Sequence, residues 1–313
     1  MIIGAEKEQG ATVMEQVGPY IIGHVSNSDQ SHPILNFPNI FGIEEGHQLY
    51  PLLYEMSITK HVLMLWIVAI VVSLLVIIPI RKFLRQATYN PSKGASAIEA
   101  IVQFIRDTIV SPNVGPKWVN TWTPLILTFF FFILFANGIG MIPIFDFLGI
   151  INKFAHSNFI DSLLHGGATA TGNFHVTAAL ASITFFAIII AGTKAHGFIK
   201  HWKNLVPHGL AWPVYIILIP IELMGMIVKP FALTMRLAAN MTGGHIAILA
   251  LLSLMAIFAE IFQSTVAGIG VALISVPMAT AISGLEIIVV LVQAYVFTLL
   301  TAVFIGMAIN VHH

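Results

Sequence analysis

The sequence contains no cysteine, and only 9% of its 313 residues are charged. The missing cysteine excludes disulfide bonds, thiolate chemistry and cysteine metal sites. Soluble domains carry about a quarter charged residues, so the small charged fraction excludes an ordinary soluble domain. The 14 basic and 14 acidic residues balance, which gives no indication of a nucleic-acid partner. The first twenty residues have no basic stretch followed by an apolar run, so we do not expect a signal peptide there.

Apolar residues are abundant instead, at 57% of the chain, and the mean hydropathy is +0.90. Long apolar runs occupy residues 61–80, 122–145 and 174–193, and residues 212–310 are apolar almost throughout. A run of about 20 apolar residues is long enough to cross a bilayer as a helix. The sequence therefore predicts an all-α membrane protein with about five membrane-embedded helices.

The basic residues indicate the orientation of these spans. They follow the first and third apolar runs directly, as Arg81, Lys82, Arg85, Lys194, Lys200 and Lys203. Basic residues favour the cytoplasmic side of a membrane, whereas the predicted outer loop at 146–172 has few of them. We expect a multi-pass protein with its N-terminus outside and its C-terminus in the cytoplasm.

Three regions are indicated by this pattern. Residues 1–60 are mixed and polar, and predict a loop-rich extramembrane segment on the outer side. Residues 61–200 predict transmembrane helices 1–3, and residues 201–313 predict a long helical hairpin. Within the second region, residues 95–111 have apolar side chains at helical spacing and polar ones opposite, which predicts an amphipathic helix at the inner surface. A partner-docking helix is the alternative for that segment.

Sequence signatures of enzymes are missing. There is no P-loop, no GxGxxG after a strand, no GxSxG and no protein-kinase motif set. The histidines are scattered and show no HExxH spacing, so neither a metal site nor a cofactor is predicted. We expect a non-catalytic protein.

One arginine, Arg236, lies in the middle of the apolar stretch 229–248, and Asn240 follows one helical turn later. Arginine does not lose its proton in proteins, and a charge at bilayer depth costs roughly 3 kcal/mol on insertion scales. The stretch offers no acid three or four residues away to neutralise it. Arg236 is therefore interpreted as a functional charge facing protein or water.

The final apolar stretch carries a second polar series, Glu286 and Gln293, whose seven-residue spacing places both on one helix face. In an antiparallel hairpin, opposed residues have a nearly constant sum of residue numbers. Pairing Arg236 with Gln293 and His245 with Glu286 satisfies this condition for one and the same turn near residue 265. The small and polar stretch 259–270 suits such a turn.

Histidine and glutamate exchange protons at accessible pH, and intramembrane ionisable residues in series mark proton relays. The pair His245–Glu286 is therefore a candidate relay, with a structural salt bridge as the alternative. Asn240 and Gln293 have interhelical hydrogen bonding as their alternative role. Glu222, near the basic inner side, is a candidate for an inner access path.

The hairpin is long for a membrane, because residues 229–310 give two helices of about 40 residues each, or roughly 60 Å. The hydrocarbon core measures only about 30 Å. Either the helices are steeply tilted, or additional crossings are broken near Pro277.

The stretch KPFALTMRLAANMTGGH, joined to LEIIVVLVQAYVFTLL downstream, resembles subunit a of the F-type ATP synthase. The likeness extends more weakly over ANGIGMIP, ATGNFHVTAAL and PIEL, and covers roughly residues 50–310. It implies a stator protein whose last two helices form a tilted hairpin against a rotating ring of c subunits. Two half-channels would carry protons to and from the ring, coupling proton flow to rotation and ATP synthesis.

The resemblance also assigns roles. Arg236 would separate the half-channels and face the ring carboxylate. The outer-side path would contain Asn240, His245, Glu286 and Gln293, and the inner-side path Glu222. Many bacterial members have the acid at the position of His245 and the imidazole at that of Glu286, so the pair is exchanged here, as in the organelle versions.

Partners implied by the resemblance are the c-subunit ring, the peripheral stalk b subunits, other ATP synthase subunits and the lipid bilayer, without a cofactor or nucleic acid. The bacterial inner (plasma) membrane is favoured over the mitochondrial inner membrane by the long N-terminal segment. Whether protons or sodium ions are carried stays open. The alternative function is a self-contained ion channel or secondary transporter, which would need an inverted repeat that the sequence does not show.

Overall fold

The computed structural model describes residues 12–25, 49–55, 57–84, 93–142, 169–203 and 212–310, with the single positions 38, 42, 43, 47 and 152. Within these ranges no β-strand is formed. In chain order the helices are α1 Val13–Val25, α2 Tyr50–Glu55, α3 Lys60–Val72, α4 Ile78–Leu84, α5 Lys93–Phe104, α6 Ser111–Val114, α7 Val119–Met141, α8 Phe174–His196, α9 Phe198–Lys203, α10 Trp212–Ile261 and α11 Thr265–Ile309. The predicted all-α fold class is confirmed.

The described part of the chain contains five helical segments that could cross a membrane. They are His61–Arg81, Val119–Met141, Phe174–His196, Pro213–Ile261 and Thr265–Ile309. Each is at least as long as the roughly 20 residues that a 30 Å hydrocarbon core requires. The predicted number of about five membrane-embedded helices is therefore confirmed.

Two π-helical turns, Ser73–Ile77 and Ile105–Val110, join α3 to α4 and α5 to α6. Each ends two residues before a proline, Pro79 or Pro112. A proline has no N–H to donate, and its ring clashes with the carbonyl four residues earlier. In both cases that carbonyl belongs to the π turn, where the hydrogen bonds run between residues five apart instead of four.

The chain divides into two compact units. The first comprises Met1–Ile67, Ala136–Asn173 and Ala239–Val290, and the second Val68–Phe135, Phe174–Ala238 and Leu291–His313. In the first unit, the start of α1 contacts Glu260 near the hairpin turn. The segment before α8 contacts Thr242 of α10 through the carbonyl of Gly172.

The second unit has a core to which α5, α6 and the π turn between them contribute. Ile105 and Ile109 are fully buried there, together with Ile126 of α7 and Ile305 of α11. The apolar side predicted for the amphipathic helix at 95–111 thus packs against other helices of the same chain. Close approach is possible at Gly306, where a Cβ atom would meet the carbonyl of Asn113.

The two longest helices, α10 with 50 residues and α11 with 45, pack together as a hairpin. At 1.5 Å per residue they correspond to roughly 75 and 68 Å of helix, more than twice the hydrocarbon core. The alternative of a crossing broken near Pro277 is wrong, because α11 continues through this proline. A proline inside a helix removes one backbone hydrogen bond, and neighbouring groups in membrane helices can compensate for that loss.

The hairpin turn occupies residues 262–264, inside the predicted stretch 259–270. Gln263 has a φ of 47° and is the left-handed residue that ends α10. The backbone N–H of Ser264 donates to the carbonyl of Ala259 at 3.0 Å, and that of Gln263 donates to Glu260 at 3.0 Å. This pair of hydrogen bonds is the Schellman motif, which satisfies two carbonyls at a helix end.

The loop-rich interpretation of residues 1–60 is wrong for Val13–Val25, which form α1. Gly18, Pro19 and Gly23 conceal the helix in the sequence, because both residue types weaken helical patterns. The backbone N–H of Val13 donates to both carboxylate oxygens of Glu260, at 3.0 and 2.8 Å. An acid near a helix N-terminus also stabilises the helix dipole, so Glu260 at the hairpin turn holds the start of α1.

Candidate functional site

The clearest polar contact inside the apolar helices joins α10 to α11. Nδ1 of His245 and Oε1 of Glu286 are 2.8 Å apart. Glu286 is only 5% exposed and His245 is 24% exposed, so the pair is largely removed from solvent. The predicted opposition of these two side chains across the hairpin is confirmed.

A glycine makes room for this pair. A Cβ atom at Gly244 would lie 2.6 Å from Oε1 of Glu286 and 3.0 Å from its Cδ, both closer than van der Waals contact allows. The carboxylate therefore lies directly against the backbone of α10. Gly243, the preceding residue, has no atom within 4 Å of the equivalent position.

The other nitrogen of the same imidazole also has a partner. Oγ1 of Thr169 lies 3.2 Å from Nε2 of His245, and Thr169 is 5% exposed. Thr169 packs against Gly140 of α7, where a Cβ atom would clash with both the side chain and the backbone of the threonine. His245 is thus held between a hydroxyl and a carboxylate.

Further hydrogen bonds hold the segment that presents Thr169. The hydroxyl of Thr171 donates to Oδ1 of Asn137, and the hydroxyl of Thr242 donates to the carbonyl of Gly172 at 3.3 Å. Asn137 and Thr171 are fully buried. The sequence analysis assigned no role to Thr169 and Thr171; the signal for these two residues was the small-residue stretch ATATG before the third span.

Arg236 lies on α10 in the second unit, and its residue is exposed. It makes no hydrogen bond or ion pair with any residue that the structure describes. Leu233 and Leu237, on the adjacent side of the helix, are buried. The guanidinium therefore projects from the chain with its positive charge uncompensated within the described ranges.

The remaining predicted residues differ in exposure. Gln293 is 3% exposed and Asn240 is exposed. Glu222 is half-buried on α10, about 21 Å of helix rise before Arg236. The structure thus brings His245 and Glu286 together and leaves the roles of all six residues as predictions.

This arrangement can move a proton. Imidazole has two nitrogens that donate or accept according to the tautomer, and a carboxylate accepts. With a hydroxyl on one nitrogen and a carboxylate on the other, a proton can be taken up and released without a large rearrangement. Among the described residues, no group of three or more histidine, cysteine or acidic side chains is placed to hold a metal ion.

Five apolar helices with an ionisable pair inside them define an integral membrane protein whose spans carry groups suited to ion transport. The family model described as ATP synthase A chain matches residues 62–306. The chain belongs to this family, and the resemblance to subunit a of the F-type ATP synthase is confirmed.

Similar proteins come from several bacteria. ATP synthase subunit a 2 of Chlorobium luteolum is 38% identical over 304 residues, which cover 94% of this chain and 76% of the relative. ATP synthase subunit a of Chlorobium phaeobacteroides is 37% identical over 300 residues, with the same two coverages. ATP synthase subunit a of Myxococcus xanthus is 38% identical over 261 residues, covering 83% of this chain and 75% of the relative.

Proposed function

We propose that this chain is the proton-conducting stator subunit of an F-type ATP synthase, with two half-channels leading to and from the c-ring. It makes no ATP itself; it couples proton flow to rotation of the ring. The observation that carries the proposal is the exposed Arg236 in an apolar helix, without an acid among the described residues to neutralise it.

An uncompensated guanidinium inside a membrane is unstable against lipid, because insertion scales assign it roughly 3 kcal/mol and other estimates more. Exposed apolar residues occur near Arg236 on α10, namely Phe231 and Met235, and α11 also exposes Leu291 and Val292. A membrane partner that covers these apolar side chains and brings its own carboxylate to Arg236 satisfies both requirements. The carboxylate of a c subunit is such a group.

The pair His245–Glu286 supports a route for protons on the outer side. Both residues have ionisable side chains, they are in direct contact, and they lie on the two helices that would face the ring. Asn240 and Gln293 are assigned to the same outer path by the resemblance to the family. Glu222 forms part of the inner path.

Arg236 separates the two paths because it cannot release its proton. It attracts the ionised ring carboxylate and prevents protons from passing between the half-channels directly. A proton that enters from the outer side must then travel on the ring before it reaches the inner path. This requirement converts a proton gradient into rotation.

The subunit belongs in a bacterial plasma membrane, with its N-terminus outside and its C-terminus in the cytoplasm. The bacterial relatives support this location, and the basic residues after the first and third spans support the orientation. Its partners are the c-ring, the peripheral stalk b subunits and the other subunits of the synthase.

The test is Arg236→Ala in the intact synthase, assayed in inside-out membrane vesicles. We expect ATP-driven proton pumping and proton-driven ATP synthesis to be abolished, while the amount of the chain in the membrane is unchanged. Arg106→Ala is the matched control, because Arg106 is an exposed arginine outside the five apolar spans. Coupled pumping in Arg236→Ala at the level of Arg106→Ala would disprove the proposal.

A further inference from the structure

We infer that Thr169 is a positioning residue for proton transfer by His245 and Glu286. The inference rests on the proposed function and assigns a role to a residue outside the predicted site. Its basis is the hydrogen-bond chain in which Oγ1 of Thr169 contacts Nε2 of His245 at 3.2 Å, while Nδ1 contacts Oε1 of Glu286 at 2.8 Å. One imidazole is therefore bound at both of its nitrogens.

A hydroxyl can serve both protonation states of the ring, because it donates one hydrogen bond and accepts others. When the imidazole is neutral and Nδ1 donates to Glu286, Nε2 is bare and accepts the hydroxyl hydrogen of Thr169. When the imidazole is protonated, Nε2–H donates to the hydroxyl oxygen instead. Thr169 therefore keeps the ring in one orientation toward Glu286 before and after proton uptake.

The surroundings fix the hydroxyl itself. Gly140 of α7 offers no side chain, so the backbone of Thr169 can approach this helix closely. Two residues later, Thr171 donates to Asn137 of α7, and the carbonyl of Gly172 accepts from a threonine on α10. The segment is thus attached to both helices within three residues of Thr169.

The hydroxyl of Thr169 is also buried, so its removal would not be compensated at the same position by solvent. Thr169 is 5% exposed, so its hydroxyl itself is shielded from bulk water. Without the hydroxyl, the ring would lose one side-chain contact that opposes its rotation away from Glu286, and the backbone of Gly140 would be left as its other hydrogen-bond partner, on α7. No proton has to pass through Thr169 for this role.

The experiment compares variants of the intact synthase in inside-out vesicles by ATP-driven proton pumping and proton-driven ATP synthesis. Thr169→Val replaces the hydroxyl by a methyl group of similar size, whereas Thr169→Ser keeps the hydroxyl. The matched control is Thr298→Val, because Thr298 is also buried but donates only within its own helix. All rates are divided by the amount of the chain in the membrane, measured by immunoblot.

We expect Thr169→Val to lower both rates about tenfold, and Thr169→Ser and Thr298→Val to stay within about twofold of the unmodified synthase. A role in packing alone would be indicated by equal losses in Thr169→Val and Thr169→Ser, and would overturn the inference. Rates for Thr169→Val that match Thr298→Val would overturn it as well. If Thr169→Val does not reach the membrane, Thr169→Ala takes its place. Its rates are then compared with those of Thr169→Ser, with the same tenfold and twofold limits.

Arg236→Ala in the same vesicles separates the two proposals. Loss of pumping in Arg236→Ala with normal rates in Thr169→Val would remove the positioning role and leave the proposed function intact. Normal pumping in Arg236→Ala would remove the proposed function, whatever Thr169→Val shows.

Discussion

Gly244→Ala tests whether contact between His245 and Glu286 is needed for proton flow. The added methyl group would lie 2.6 Å from Oε1 of Glu286, whereas ordinary contact begins at 3.4 Å. Oε1 must therefore retreat by about 0.8 Å, because repulsion rises steeply below contact distance. The hydrogen bond of 2.8 Å to His245 would lengthen toward about 3.6 Å, which is no longer a hydrogen bond.

The change should affect the pair and spare the fold. The atom that meets the new methyl group is Oε1, at the end of the flexible Glu286 side chain, so it can move at a small cost in free energy. Alanine is also favoured over glycine inside a helix by roughly 0.5–1 kcal/mol. A hydrogen bond to a charged group contributes about 1.5–3 kcal/mol, which corresponds to at least tenfold in population. We expect proton-driven ATP synthesis to fall about tenfold.

The assay uses inside-out vesicles that contain the intact synthase, with rates normalised to the amount of the chain. Gly243→Ala and Gly225→Ala are matched controls on the same helix, because nothing lies within 4 Å of either added methyl group. Both should keep normal rates. If Gly244→Ala conducts protons as well as Gly225→Ala, the reasoning that the contact between the pair is required is refuted.

Three further changes test the fold by thermal unfolding of the purified protein in detergent. Gln263→Gly should stabilise by about 1 kcal/mol, because glycine adopts the left-handed turn without strain, and Gln263→Ala should not; equal midpoints would contradict this. Gly306→Ala should destabilise by about 1–3 kcal/mol, because its methyl group meets the backbone at α6, whereas Gly270→Ala has free space; similar midpoints would argue against close packing there. Burial, and secondarily His196, lower the pKa of His201, so stability is lost as pH falls below about 6.5, and His201→Gln should reduce that loss. An unchanged pH dependence in His201→Gln would show that another group is responsible.

The spans and the hairpin could be predicted because the bilayer imposes a simple length and composition rule. The position of the turn came from two polar pairs whose residue numbers fit one fold-back. Contact between His245 and Glu286 was predictable from the same register, since opposed positions on antiparallel helices are set by the turn. Local sequence patterns were sufficient for these features.

Thr169 could not be found in this way. Its contact with His245 spans 76 residues and depends on how the segment before α8 approaches α7 and α10. Threonine is common in apolar helices and loops, so its presence alone has little meaning. The steric reason for the approach, the missing side chain at Gly140, becomes visible only when the two segments are placed together.

Prolines obscured the helices in two places. Pro277 suggested a break, but α11 continues through it, since a long apolar helix can lose one backbone hydrogen bond. Pro19, with Gly18, hid α1 by lowering the helical propensity of the segment.

The π turn at Ile105–Val110 has a consequence for comparing and editing such chains. A π turn contains about one more residue than an α turn, so it rotates the helix before it by roughly 100° relative to the helix after it. Deleting a single residue in this turn would restore regular α geometry. The polar side of α5 would then swing toward the core that Ile105 and Ile109 now fill. When a related sequence lacks one residue at this turn, the side of α5 that faces the core is therefore expected to differ between the two proteins.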